Sequence, residues 1–182
     1  MPNSLPHIGT LVSLPALHHP DLLAGSVVTA LNGWSYADQV AVVEIDPNLA
    51  DTAALTEAYS LPIVASANCV VVAGKRDGQE RVAACVIRAD TRADVNNLVK
   101  RTLDVRKASF LPMDRAVVET GMEYGGITPV GLPESWRLLV DESVREIPVA
   151  IVGSGVRQSK LLLPGVLLPE LPLAEMVVGL GE

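Results

Sequence analysis

The stretch from Glu119 to Gly131, ETGMEYGGITPVG, carries the clearest chemical pattern in the chain. Gly121, Gly125, Gly126, Pro129 and Gly131 fall between a segment that reads as a helix and one that reads as a strand. Glycine permits positive φ and lets another molecule approach the backbone closely. Proline fixes its own φ and removes one donor, so such a loop keeps a set shape. The combination suits a site where peptide N–H and C=O groups, rather than charged side chains, hold a ligand. No Gly-Lys-Ser/Thr follows, which excludes a phosphate-binding P-loop. A strand does not lead into the loop and a helix does not leave it, which excludes the dinucleotide fingerprint. On spacing alone, a tight structural turn and a binding loop stay equally open.

Other reactive side chains are sparse. Cys69 and Cys85 fall inside predicted strands and read as small buried hydrophobes. A nucleophilic Cys69 needs a nearby base, and the sequence has no histidine beyond position 19. His18 and His19 are adjacent, so they point in different directions, and no further ligand stands at metal-binding spacing. No Ser-His-Asp order is present either. Neither a metal nor a cofactor is therefore expected.

The elements that must position the loop follow from periodicity and punctuation. Residues 1–20 hold four prolines and three histidines without a period, and predict an irregular arm or cap. Asp21–Leu31 predicts a helix with Asp21 as N-cap and Asn32-Gly33 as its stop. Val40–Ile45 predicts a strand, Asp46-Pro47-Asn48 a turn, and Asp51–Tyr59 a helix capped by Asp51. Ala67–Ala73 and Arg81–Ile87 predict a hairpin around GKRDGQE, where Asp77-Gly78 is the reversal signal. Asp94–Leu103 and Met113–Thr120 predict helices, and residues 136–140, 149–152 and 160–163 predict strands. Ala174–Val178 predicts a closing helical turn. With no repeat and no long linker, the pattern is one mixed α/β domain.

Composition sets the outer limits. Hydrophobic residues make up 49% of the 182 but aromatics only 3%, so the core must be built from Val, Leu, Ile and Ala. No apolar stretch reaches the roughly 20 residues that cross a bilayer. The start has no charged n-region, and two cysteines do not make a disulfide framework, so a reduced, cytoplasmic protein is expected. The net charge of −7 opposes general nucleic-acid binding, yet ten of the fourteen Lys/Arg fall between Lys75 and Arg115. That segment permits steering of an anionic partner, and equally permits an ordinary mixed-charge surface.

The sequence TGMEYGGITPVG, followed by LLVDES and VAIVGSGVRQSKLLLP, resembles the YbaK and prolyl-tRNA-synthetase-associated editing domains. The resemblance runs from about Asp46 to the C-terminus and is carried by Gly125-x-x-x-Pro129, Gly131, Asp141 and Gly153 to Gly155. It implies a YbaK-like fold, a mixed central or barrel-like sheet with flanking helices, over residues 41–182, with residues 1–40 as an N-terminal extension or cap. It also implies trans-editing: metal-free hydrolysis of the ester of a mischarged aminoacyl-tRNA, leaning on the terminal ribose hydroxyl. The implied partners are the 3′ aminoacyl end of tRNA and an aminoacyl-tRNA synthetase.

On that resemblance Asn68, Gly125 and Gly126 are the catalytic candidates, with the two glycine amides as an oxyanion hole. Cys69, Ile127, Pro129, Gly131, Asp141, Gly153 and Ser154 are the substrate-binding candidates. Asp141 is equally readable as a turn or capping carboxylate. Ala67, Cys69, Ile127 and Val130 are small or medium and favour a small aminoacyl group. One departure stands out: trans-editing members carry Lys-Thr where this chain has Asn68-Cys69. A neutral amide makes a hydrogen bond about half as strong as a charge-assisted one. Lys75 cannot substitute from the same strand, since seven residues span about 23 Å. The departure leaves two expectations, an aminoacyl-tRNA deacylase and a module that binds an aminoacyl group or tRNA end without turnover.

Overall fold

The computed structural model describes residues 4–182, and residues 1–3 of the predicted arm lie outside them. Nine strands form in chain order: β1 (Ser13–Pro15), β2 (Ala41–Glu44), β3 (Ala67–Arg76), β4 (Gln79–Arg88), β5 (Ala108–Phe110), β6 (Arg137–Asp141), β7 (Ala150–Gly153), β8 (Ser159–Leu163) and β9 (Ala174–Val177). Four α-helices accompany them: α1 (Gly25–Asn32), α2 (Thr52–Ala58), α3 (Lys100–Leu103) and α4 (Met113–Thr120). The strands divide into an antiparallel sheet of order β1-β2-β8-β7 and a mixed sheet of order β5-β3-β4-β6-β9. A parallel bridge between Ser66 and Ile151 joins them where β3 begins beside β7. The result is the mixed α/β domain expected from the sequence.

The long hairpin is set by its turn. Asp77 and Gly78 adopt φ of 51° and 78°, the left-handed pair of a two-residue turn whose twist matches the flanking strands. The ladder consequently runs from Ala67↔Arg88 to Arg76↔Gln79, longer than the predicted hairpin. In the other sheet, β8 is central and buried on both faces. Leu161 and Leu163 enter the main core with Val27, Leu31 and Val140, and Leu162 packs with Val43, Leu55 and Ile151. Alternation along β8 therefore puts Lys160 on the Leu162 face, beneath α2.

Three local expectations are corrected. Ala174–Val178 is not helical: Ala174–Val177 is β9, which pairs parallel with the edge of β6. Leu173 and Gly179, both at positive φ, flank a segment too short to nucleate a helix, and the open ladder satisfies its backbone instead. Asp21 does not cap α1. It sits in a 3₁₀ turn, Pro20–Leu22, and the helix starts at Gly25 with no side-chain cap. Within the arm predicted over residues 1–20, Ser13–Pro15 is a strand and Ala16 is buried in the main core. β1 lies along β2, Leu22, Leu23, Val27, Leu31 and Trp34 enter the main core, and the Trp34 indole donates to the Glu170 carbonyl at 3.0 Å.

Asp141 closes the other end of the molecule. Its buried carboxylate accepts the amides of Leu180 and Gly181 at 2.9 and 3.1 Å, the Ser143 amide at 3.2 Å, and the Ser143 hydroxyl. It thereby ties the C-terminus to β6 as a structural carboxylate. Asp141→Ala leaves those amides buried without an acceptor and is expected to cost about 3 kcal/mol in urea unfolding.

Candidate functional site

Where the two sheets meet, the start of β3, the ends of β7 and β8, α2 and the glycine-rich loop enclose a cleft of about 490 Å³. Ala50, Ala67, Cys69, Ala116 and Gly153 are small and leave space along part of its wall, while Leu55, Leu111, Ile127 and Ile151 make up apolar parts of the rest. Asp51 caps α2 through the amides of Ala53 and Ala54, which fixes Thr52 at the cleft edge. The Thr52 hydroxyl donates to Asn68 Oδ1 at 3.0 Å, so the Asn68 side chain is held by one end and its amide nitrogen is left for the cleft. Ser66, also lining the cleft, is buried, and its hydroxyl has no partner among the described residues.

The loop that forms the opposite wall is packed backbone to backbone on the turn between β7 and β8. The Gly155 amide donates to the Gly126 carbonyl at 2.7 Å, and the Glu123 amide donates to the Gly155 carbonyl at 2.9 Å. A Cβ on Gly153 would stand 2.5 Å from the carbonyl oxygens of Gly126 and Ile127, so glycine there is a condition of the contact. Arg157 fastens the same region. Its amide donates to the Glu123 carboxylate at 2.7 Å, and its guanidinium donates to the carbonyls of Tyr124 and Pro47 at 3.0 and 2.9 Å. The glycines thus serve loop packing first, and the cleft wall is its consequence.

Lys160 enters this cleft from β8. Only 8% of it is exposed, and its ammonium makes one hydrogen bond, 3.4 Å to the Gly125 carbonyl. None of the ion pairs among the described residues includes it. Burial, reinforced by the nearby Arg157 guanidinium and opposed by Asp51, lowers its pKa to about 8. No periodic signal marks this residue along the chain, because a lysine just before Leu161-Leu162-Leu163 reads as a strand end. Cys69, by contrast, is held neutral: desolvation raises its thiol well above the ordinary value, so it is a wall and not a nucleophile. Burial likewise pushes Cys85, behind it, up to about 12.

The predicted residues divide between several places. Asn68, Cys69, Gly125, Ile127 and Gly153 come together in the cleft. Gly126 does not line it, and its amide is committed to the Glu123 carbonyl at 2.9 Å and cannot serve an oxyanion. Ser154 is fully buried behind the wall, bonded to Ser159. Pro129, Val130 and Gly131 line a different hollow of about 650 Å³, beside Trp34 and Trp136. Asp141 lines neither. Among the described residues no three His, Cys, Asp or Glu side chains converge as a metal site would require.

At the mouth, Phe110 and Met113 are exposed. Beyond Phe110 a shallow groove carries Lys75, Arg106 and Lys107. Much of the basic segment around it is neutralised locally. Asp104 pairs with Arg76 and Arg81, Asp90 with Arg88, and Glu80 and Glu119 with Arg115. The segment is therefore a mixed-charge surface with a small cationic remainder beside the cleft.

Residues 46–170, over two thirds of the chain and every residue that lines the cleft, match the aminoacyl-tRNA editing domain family. The chain belongs to that family. Its fold is similar to that of a protein whose suggested role is trans-editing for prolyl tRNA synthetase. The TM-score is 0.72 at 18% identity, covering 87% of this chain and 96% of that one. A scaffold protein used for computational epitope grafting is similar at TM-score 0.73 and 18% identity, over 87% and 97% of the two chains. A hypothetical protein is similar at TM-score 0.67 and 21% identity, over 78% and 90%. No curated protein sequence matches the chain. At these identities the structural likeness establishes the YbaK-like editing fold. No helix is long and apolar enough to cross a membrane.

The buried lysine of this editing domain has a thermodynamic signature. The folded state holds Lys160 at about 8, below the 10.5 of an exposed lysine, so the unfolded chain binds more protons between those values. Stability from this group therefore rises as pH climbs through that window and is lowest below it. Lys160→Met is expected to raise the unfolding free energy at pH 7 by up to about 3 kcal/mol. The gain should shrink steadily from pH 8 to pH 10 in urea titrations of the two proteins.

Proposed function

We propose that this editing domain is an aminoacyl-tRNA deacylase acting in trans, in the cytoplasm, on tRNA mischarged with a small amino acid. The observation that carries the reading is the cleft itself. It lies within the family's matched span, is walled by Ala50, Ala67, Cys69 and Gly153, and has room for an aminoacyl group with part of its ribose. Small walls favour a small side chain, although one methylene is worth only about 1–3 kcal/mol of discrimination.

In this reading the 3′ end of the tRNA crosses the mouth, its terminal base stacks on Phe110, and the phosphates run toward Lys75 and Lys107. The Asn68 amide, steadied by Thr52, orients the ester or the attacking water. Of the two glycine amides proposed for the carbonyl oxygen, that of Gly125 is the candidate, since that of Gly126 is already bonded. Water adds to the carbonyl carbon, and the bond to the ribose oxygen then breaks. The ribose oxygen takes one of the water's two protons, the other passes to solvent, and the amino acid leaves as a carboxylate. The synthetase that charges the tRNA is the expected functional partner.

A neutral Asn68 in place of the family's lysine favours one other reading, a module that binds the aminoacyl end without hydrolysing it. A panel of tRNAs mischarged with small amino acids separates the two. The deacylase hydrolyses at least one member above the buffer rate, and Asn68→Ala slows it about tenfold, the value of one orienting hydrogen bond. Tight, salt-sensitive binding with no hydrolysis anywhere in the panel instead supports the binding module.

A further inference from the structure

We infer that Lys160, reaching the cleft from β8, is the cationic group that holds the carbonyl oxygen of the bound ester. Four observations converge on it. Lys160 is buried, only 8% of the residue being exposed, and the one hydrogen bond of its ammonium is a long one, 3.4 Å to the Gly125 carbonyl. No carboxylate pairs with it among the described residues. Taking an ammonium out of water without a partner costs several kcal/mol, which a structural residue does not recover. The Ser66 hydroxyl, buried and without a partner among the described residues, lines the same cleft, so it and the ammonium face one space with donor capacity unmet. An electron-rich oxygen satisfies both.

The inference rests on the editing reading above and completes it. Asn68 on β3 is neutral, and the charge enters the cleft from a strand in the other sheet. As water adds to the carbonyl carbon, the C=O π pair moves onto the oxygen, and the Lys160 ammonium holds the developing negative charge. When the pair returns, the bond from the carbonyl carbon to the ribose oxygen breaks. The charge is held without the proton leaving Lys160, so the lysine acts as an electrostatic donor and not as a base. The charged groups that face it are Asp51 at the cap of α2, which favours the ammonium, and Arg157 from the β7–β8 turn, which disfavours it. Cys69 on β3 faces the same space and stays neutral.

Two measurements test this. In single-turnover hydrolysis of the tRNA that the native protein edits, Lys160→Met is expected to lower the rate about 10²–10³-fold, the range for loss of one oxyanion donor. Binding of that tRNA, which the groove beyond Phe110 supplies, should change little. After subtraction of uncatalysed hydrolysis, the native rate should fall above about pH 8, and the variant should lack that limb. A folded Lys160→Met protein with a native rate and the same pH limb overturns the inference.

The second measurement does not depend on turnover. The Lys160 ammonium is titrated by NMR in ¹⁵N-lysine-labelled protein, alone and with 3′-alanylamino-3′-deoxyadenosine, an amide that keeps the carbonyl oxygen. A midpoint near 8 that rises on binding supports the inference, even if the native protein hydrolyses nothing and the deacylase reading falls. An ordinary lysine midpoint that the analogue does not move overturns it, whatever the activity.

Discussion

The rest of the site depends on the contact between two stretches of bare backbone. Residues 123–127 lie on the turn from β7 to β8, with the Gly126 carbonyl accepting from the Gly155 amide and the Gly155 carbonyl accepting from Glu123. The approach is possible because Gly153 has no side chain: a Cβ there would stand 2.5 Å from the Gly126 and Ile127 carbonyl oxygens. From it follow the far wall of the cleft, the Gly125 carbonyl beside Lys160, and the anchoring of Arg157 to Tyr124 and Pro47. Backbone hydrogen bonds and a steric limit place these groups, so the wall does not rely on flexible side chains.

Against that rigid wall the cleft holds groups that folding alone would not favour. Lys160 is desolvated without a carboxylate, and Ser66 keeps a buried hydroxyl unbonded. Elsewhere the molecule satisfies its charges. Asp141 takes four donors at the C-terminus, and most arginines of the basic segment meet a carboxylate on the surface. Two donors without strong partners, the Lys160 ammonium and the Ser66 hydroxyl, thus face the cleft at the seam of the two sheets, where a ligand can meet them.

Much of the scaffold was legible along the chain because its signals are local. Asp77-Gly78 specified a hairpin turn, Asp51 a helix cap, and Val95, Val99 and Leu103 one buried helical face. The family could be read from the glycine and proline spacing together with the strand that follows. Segments whose state depends on a distant partner were not legible. Ala174–Val177 is a strand because β6 has an open edge, and Ser13–Pro15 because β2 does. Asp141 carried the same residue type as a ligand-binding carboxylate, and only the position of Leu180 and Gly181 assigns it to the C-terminus.

The sequence by itself determined the mixed α/β class, the aliphatic core and the editing family, and singled out Asn68 and the loop around Gly125 as candidates, since composition, period and motif are properties of the chain in order. It also registered that position 68 lacks a charge. That a lysine 92 positions further on faces the same cleft was decided only by tertiary structure. β8 lies against β7 and β2, and its alternation turns Lys160 away from the main core toward the seam. Which face a strand residue takes depends on register with its neighbours, and register is set by the whole sheet.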